Sequence, residues 1–124
     1  MMATVATAPE AKSVARTMLQ QIGNRTLAAV NPSMLTYGTL ANGDTVLRFL
    51  TGGTNGKRLR KAEVTYNRGR DTYTVRSWIG GLVWGEAGTT LGYQCKYEAD
   101  DVYCENLATV VVAAVRAAGG RPRI

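Results

Sequence analysis

Apolar residues recur at Ala11, Val14, Ala15, Met18, Leu19 and Ile22, the spacing that lays one stripe along a helix. Pro9 suits the first helical turn, Glu10 complements the positive end of the helix dipole, and Gly23-Asn24 supplies a stop. The pattern therefore predicts a helix over 9–22. Residues 24–33 fit either a further helical piece or a packed loop, which Asn31-Pro32 ends.

From Leu35 onward the period changes to two. Asn42-Gly43 lies between the strand-like runs 34–41 and 44–50, and Asn-Gly favours a type I′ hairpin because both central residues take positive φ. Leu47 and Phe49 fall on one face of the second run, with Val46, Arg48 and Leu50 on the other. That double-sided pattern fits a strand covered on both sides, or one with a bulge. A glycine-rich connection, 51–56, leads to a third strand over 58–66 and a turn at Asn67-Arg68-Gly69-Arg70. In the fourth strand, 71–79, Tyr73, Val75 and Ile79 face one way, and Thr72, Thr74, Arg76 and Trp78 the other. Gly80-Gly81 and 86–88 bracket Leu82-Val83-Trp84, which reads as an insertion or flap at the sheet edge. A further strand is expected over 90–97.

Asp100 or Asp101 is then expected to cap a helix running to Ala118, buried through Leu107, Val110, Val111, Ala114 and Ala118. Gly119-Gly120 and Pro122 end it. The expected architecture is α+β: one antiparallel meander sheet of four to five strands, with an N-terminal and a C-terminal helix packed on one face. The length of 124 residues suits one domain over 1–124, with a flexible arm at 1–8 and a basic tail at 119–124.

Composition narrows the chemistry. No apolar run approaches the ~18 residues that span a bilayer, so no membrane partner is expected. The chain has no histidine, which removes Ser-His and Cys-His catalysis and the commonest zinc ligand. Cys95 and Cys104, nine apart with no second pair, lack metal spacing and read as reduced core or near-core thiols. Gly52 to Lys57 has the wrong spacing for a phosphate-binding loop and is followed by a strand. These features point away from an enzyme and imply no cofactor and no metal.

Charge adds a surface. Of the net +6, the stretch 51–76 holds +5, from Lys57, Arg58, Arg60, Lys61, Arg68, Arg70 and Arg76 against Glu63 and Asp71. Arg58, Arg60 and Arg76 are expected to share a strand face with Trp78, with Arg68 and Arg70 at the turn. Cations track phosphates and an aromatic stacks on an unpaired base, so these residues form a candidate nucleic-acid or partner surface. A solvated sheet face whose charges guard an edge is the competing reading. Trp84, in its glycine-flanked segment, joins the candidate contact residues. Glu98, Asp100, Asp101 and Glu105 gather apart from the basic hairpin, and that polarity offers a drive for self-association into a homodimer.

Six blocks carry a resemblance. They are GNRTL (Gly23–Leu27), LRF (Leu47–Phe49), NGKR (Asn55–Arg58), VTYN (Val64–Asn67), DTYTV (Asp71–Val75) and DVYCENL (Asp101–Leu107). Their order and spacing resemble a family of short proteins encoded by phages and bacterial mobile elements. This chain departs from the family's pattern at 80–92, which looks like extra material. The resemblance implies an accessory protein in the cytoplasm of a bacterial host, and brings no catalytic residues. The expected partner is nucleic acid or a host protein or nucleoprotein complex, and an anti-CRISPR-like inhibitor of host defence is one concrete form. The alternative is a small self-assembling structural or scaffold protein.

Overall fold

The computed structural model describes residues 9–51, 60–85, 88–120 and 122, with the side chains of 9, 10 and 81–91 outside that description. The expected arm at 1–8, the connection carrying Lys57 and Arg58, and Arg121 and Arg123 lie outside the described residues. Three α-helices, one 3-10 turn and one five-stranded sheet follow in the order α1 (Pro9–Ile22), α2 (Asn24–Val30), β1 (Ser33–Thr39), β2 (Thr45–Thr51), β3 (Arg60–Asn67), β4 (Thr72–Gly85), β5 (Gly88–Val102), a 3-10 turn (Cys104–Asn106) and α3 (Leu107–Ala117). The sheet is an antiparallel meander in sequence order. The α+β reading holds.

The stripes do what their spacing predicts. Met18 and Ile22 of α1 and Leu107, Val111, Ala114 and Val115 of α3 enter one buried cluster with Leu47, Phe49, Ala62, Val64 and Val75. Register explains the sheet half of that cluster: Leu47 opposes Val64, Val64 opposes Val75, and Phe49 opposes Ala62. Ala62 in turn opposes Ser77, whose buried hydroxyl donates to the Ala114 carbonyl at 2.7 Å. Small side chains on both elements thus let α3 approach β4 closely, and the serine is satisfied by the helix backbone.

The turns differ from expectation in instructive ways. Gly43 N–H donates to Leu40 C=O at 2.9 Å, and of the turn residues only Gly43 has a positive φ, of 91°. The hairpin is therefore present, but as a three-residue loop with a left-handed glycine and not as type I′, which would need positive φ at Asn42 too. Asn42 instead uses its side-chain oxygen to accept the Asp44 N–H at 3.0 Å. Gly23, at φ 88°, separates α1 from α2, so the ambiguous 24–33 stretch is mostly a second helix. The piece expected as an insertion or flap is strand: β4 and β5 continue as a paired hairpin to Gly85 and Gly88.

Neither Asp100 nor Asp101 caps a helix. Both lie in β5, and the 3-10 turn before α3 starts from Tyr103 with no side-chain cap. The other end of α3 matches its sequence signals: Gly119 N–H donates to Arg116 C=O at 2.9 Å and Gly120 N–H to Val115 C=O at 2.8 Å, with Gly119 at φ 88°. That pair of bonds is a Schellman motif, which needs a residue tolerant of the left-handed region.

Candidate functional site

With all three helices on one side, the opposite face of the sheet carries the charge and the exposed ring chemistry. Strand alternation places Arg48, Glu63, Arg76 and Glu98 in one row across β2 to β5, each opposite the next. Arg48 Nε donates to Glu63 Oε2 at 2.7 Å, and Arg76 Nε donates to Glu98 Oε2. The Arg76 pKa is pushed further up, first by that hydrogen bond to Glu98. In the neighbouring row Thr74 donates to Asp100 at 2.9 Å and accepts from Asn67 at 3.1 Å. Arg48, Glu63, Arg76, Thr65, Thr74 and Asn67 contribute to the walls of a half-open cleft of about 320 Å³.

On the other side of the charged row lies an aromatic cluster. Lys61 opposes Trp78, and its ammonium sits 4.7 Å from the Trp78 ring centroid and 4.4 Å from that of Tyr93. Both distances are within cation–π range. Tyr93 opposes Gly80, and a Cβ built on Gly80 would come within 2.8 Å of its ring. Glycine at position 80 is therefore what lets the ring lie down over the strand. Tyr93 is 46% exposed, so part of this ring still faces solvent.

The sequence-derived basic residues divide. Arg76 and Trp78 share this face as expected, and Lys61 stands there with them in place of Arg60. Arg60 opposes Ile79 on the helix side, and its Nε donates to the Ala118 carbonyl at 2.9 Å, closing the C-terminal end of α3. A cation there also complements the negative end of the helix dipole. Arg68 and Arg70 are at the β3–β4 turn; Arg68 N–H donates to Asp44 Oδ1 at 3.2 Å, and Arg70 pairs with Asp101 at 3.3 Å. Trp84 pairs in register with Thr89 in the extended β4–β5 hairpin, and its side chain lies outside the described residues, as do Lys57 and Arg58.

Two further expectations are corrected. The acids of 98–101 are not a patch apart from the basic hairpin, because β5 runs beside β4 and sets Glu98 against Arg76 and Asp101 against Arg70. The charge polarity expected to drive self-association is thus largely satisfied within the chain. Cys95 and Cys104 are free thiols as expected, but both are exposed and neither belongs to the core. Among the described residues there is no group of three or more His, Cys, Asp or Glu that could hold a metal ion, and no helix long and apolar enough to cross a membrane.

Sequence reasoning missed Arg48, Glu63, Glu98 and Tyr93 as members of this face. Their common signal is cross-strand register, which joins positions up to fifty residues apart. No protein-family model, curated protein or solved structure matches the chain.

Proposed function

We propose that this chain is a non-catalytic binding protein whose sheet face opposite the helices takes up single-stranded nucleic acid, free or within a host nucleoprotein complex. The observation that carries the reading is the Lys61, Trp78 and Tyr93 cluster: two partly exposed rings on neighbouring strands, beside a cation on the sheet face opposite the helices. Bases stack on such rings in a sequence-tolerant way, and a positive groove beside them tracks the backbone. The cleft next to the cluster, walled in part by Arg48, Thr65 and Thr74, offers polar groups beside a phosphodiester. Three of the seven cations of the basic hairpin are excluded from the reading, since Arg60, Arg70 and Arg76 are already engaged. The resemblance of the sequence blocks to those of short phage and mobile-element proteins is what suggests an accessory role, of which inhibition of a host defence complex is one form.

Titration with single-stranded DNA and RNA over a range of salt tests it. Wild type should bind with a shallow slope of log affinity against log salt, on the order of 1–2, because each neutralised phosphate contributes about 0.7 on single strands. Lys61→Ala should weaken binding and remove about 0.7 of that slope, whereas Lys12→Ala on the helix side should change neither. Equal weakening by both changes would place the contact elsewhere.

A further inference from the structure

β4 and β5 outrun the rest of the sheet. Among the described residues β3 pairs with β4 only as far as Ile79, opposite Arg60, whereas β4 and β5 stay paired to Gly85 and Gly88. From Trp78 opposite Cys95 to Gly85 opposite Gly88 the register does not shift, so the two strands continue as a regular two-stranded arm. Facing residues of an antiparallel pair share a face, and the face changes at each step along the strand. Trp78, the Gly80–Tyr93 pair, the Leu82–Leu91 pair and the Trp84–Thr89 pair therefore fall on one face, the sheet face opposite the helices. Beyond Ile79 the intervening pairs are Gly81–Gly92, Val83–Thr90 and Gly85–Gly88. One side of the arm thus collects its aromatic and leucine residues, and the other is mostly glycine. From Gly80 to Tyr93 the sequence holds no Lys or Arg.

We infer that a single strand bound at Trp78 and Tyr93 continues along this arm, base by base, to Trp84. The inference rests on the reading of this face as a single-strand site. Successive same-face positions on a strand are about 6.7 Å apart, twice the ~3.4 Å rise per base of a duplex strand. At that spacing neighbouring bases are drawn off one another, and each is left to pack on the protein, which is how splayed single strands are held. Every same-face pair brings at least one large apolar residue to its step: Trp78, then Tyr93, then Leu82 with Leu91, then Trp84. The other course, across the strands to β1, is less suited to a polyanion. It crosses the row in which Glu63 and Glu98 alternate with Arg48 and Arg76, and meets carboxylates as often as cations. With no cation on it, the arm adds affinity by stacking and leaves the salt dependence to the Lys61 end.

Two variants of the full chain test this course. Trp78→Phe leaves Trp84 as the sole tryptophan. A dye-labelled oligothymidylate of about eight bases, whose anisotropy reports binding independently, should quench the Trp84 emission along the same isotherm. Trp84→Ala should weaken binding of that oligonucleotide by roughly five- to a hundredfold. The slope of log affinity against log salt should stay unchanged, because the lost platform carries no charge. A Trp84 emission that stays constant while the anisotropy saturates overturns the course along the arm and leaves the contact at Trp78 standing. Wild-type affinity in a folded Trp84→Ala protein does the same. Should either variant fail to fold, the other decides alone. Absence of binding by wild type overturns the single-strand reading itself, and the course with it.

Discussion

Arg76 of β4 and Glu98 of β5 stand directly opposite each other, and the guanidinium Nε donates to the carboxylate. A residue that the sequence offers as a free cation is thus already neutralised by an acid twenty-two positions further on. Because both side chains are partly exposed, the pair should add less than about 1 kcal/mol to folding stability. Its larger consequence is for binding. Glu98→Gln should free Arg76 for phosphate and steepen the salt dependence of single-strand binding by up to about 0.7. Titration of the variant beside wild type checks this; an unchanged slope would mean that Arg76 faces no phosphate.

Arg60 makes the opposite case. Its bond to the Ala118 carbonyl locks the end of α3 onto β3. Arg60→Ala should cost roughly 1–2 kcal/mol in urea unfolding, and leave nucleic-acid affinity at wild-type level. Lost affinity with unchanged stability would return Arg60 to the binding surface.

The core prediction is larger. Leu107 is fully buried at the start of α3 among side chains from both layers. Leu107→Ala should destabilise the protein by roughly 2–5 kcal/mol. A urea midpoint that barely moves would show that the α3 face has been misassigned.

Alkaline pH should destabilise the protein through Tyr73. Burial pushes its pKa from the ordinary 10.0 up to about 12, and its hydroxyl donates to Gln21. A folded-state pKa above the unfolded value means that the stabilisation is whole below about pH 10 and is lost as pH rises toward 12. Unfolding free energy measured at steps across that window should fall, and fall less steeply in Tyr73→Phe. Equal slopes in the two proteins would assign the alkaline loss to other groups.

Both thiols are exposed, so native protein without reductant should take up two labels from a small thiol reagent. Zero labels would mean that Cys95 and Cys104 are joined.

The legible parts of this protein are those whose signals are local. The stripe from Ala11 to Ile22, the alternation from Tyr73 to Ile79 and the glycines after Ala118 each act within a few residues of themselves, and each forms the expected element. Asp100 and Asp101 show where local reasoning fails. Aspartate before an apolar run favours a helix cap, yet both extend β5, because Thr74 and Arg70 on neighbouring segments satisfy their carboxylates. Asp101 does so at a positive φ of 54°. Tyr93 was illegible for a related reason: nothing near it in sequence marks Gly80 as the gap beneath its ring. Arg60 shares the helix side with Ala62 and Val64 by alternation along β3, so its face is legible in the sequence; only its partner, the Ala118 carbonyl at the end of α3, is not.

Tryptophan emission reads directly whether the Lys61, Trp78 and Tyr93 cluster contacts the bases of a single strand. Trp84→Phe leaves Trp78 as the sole tryptophan. Adding a single-stranded oligonucleotide at low salt should quench the Trp78 emission saturably, and the quench should reverse as salt is raised. Tyr93→Ala in the same background should weaken the affinity by roughly five- to a hundredfold, the equivalent of about 1–3 kcal/mol for one lost stacking platform. Binding that saturates by an independent readout while the Trp78 emission stays unchanged would contradict that contact, as would an absence of binding in wild type.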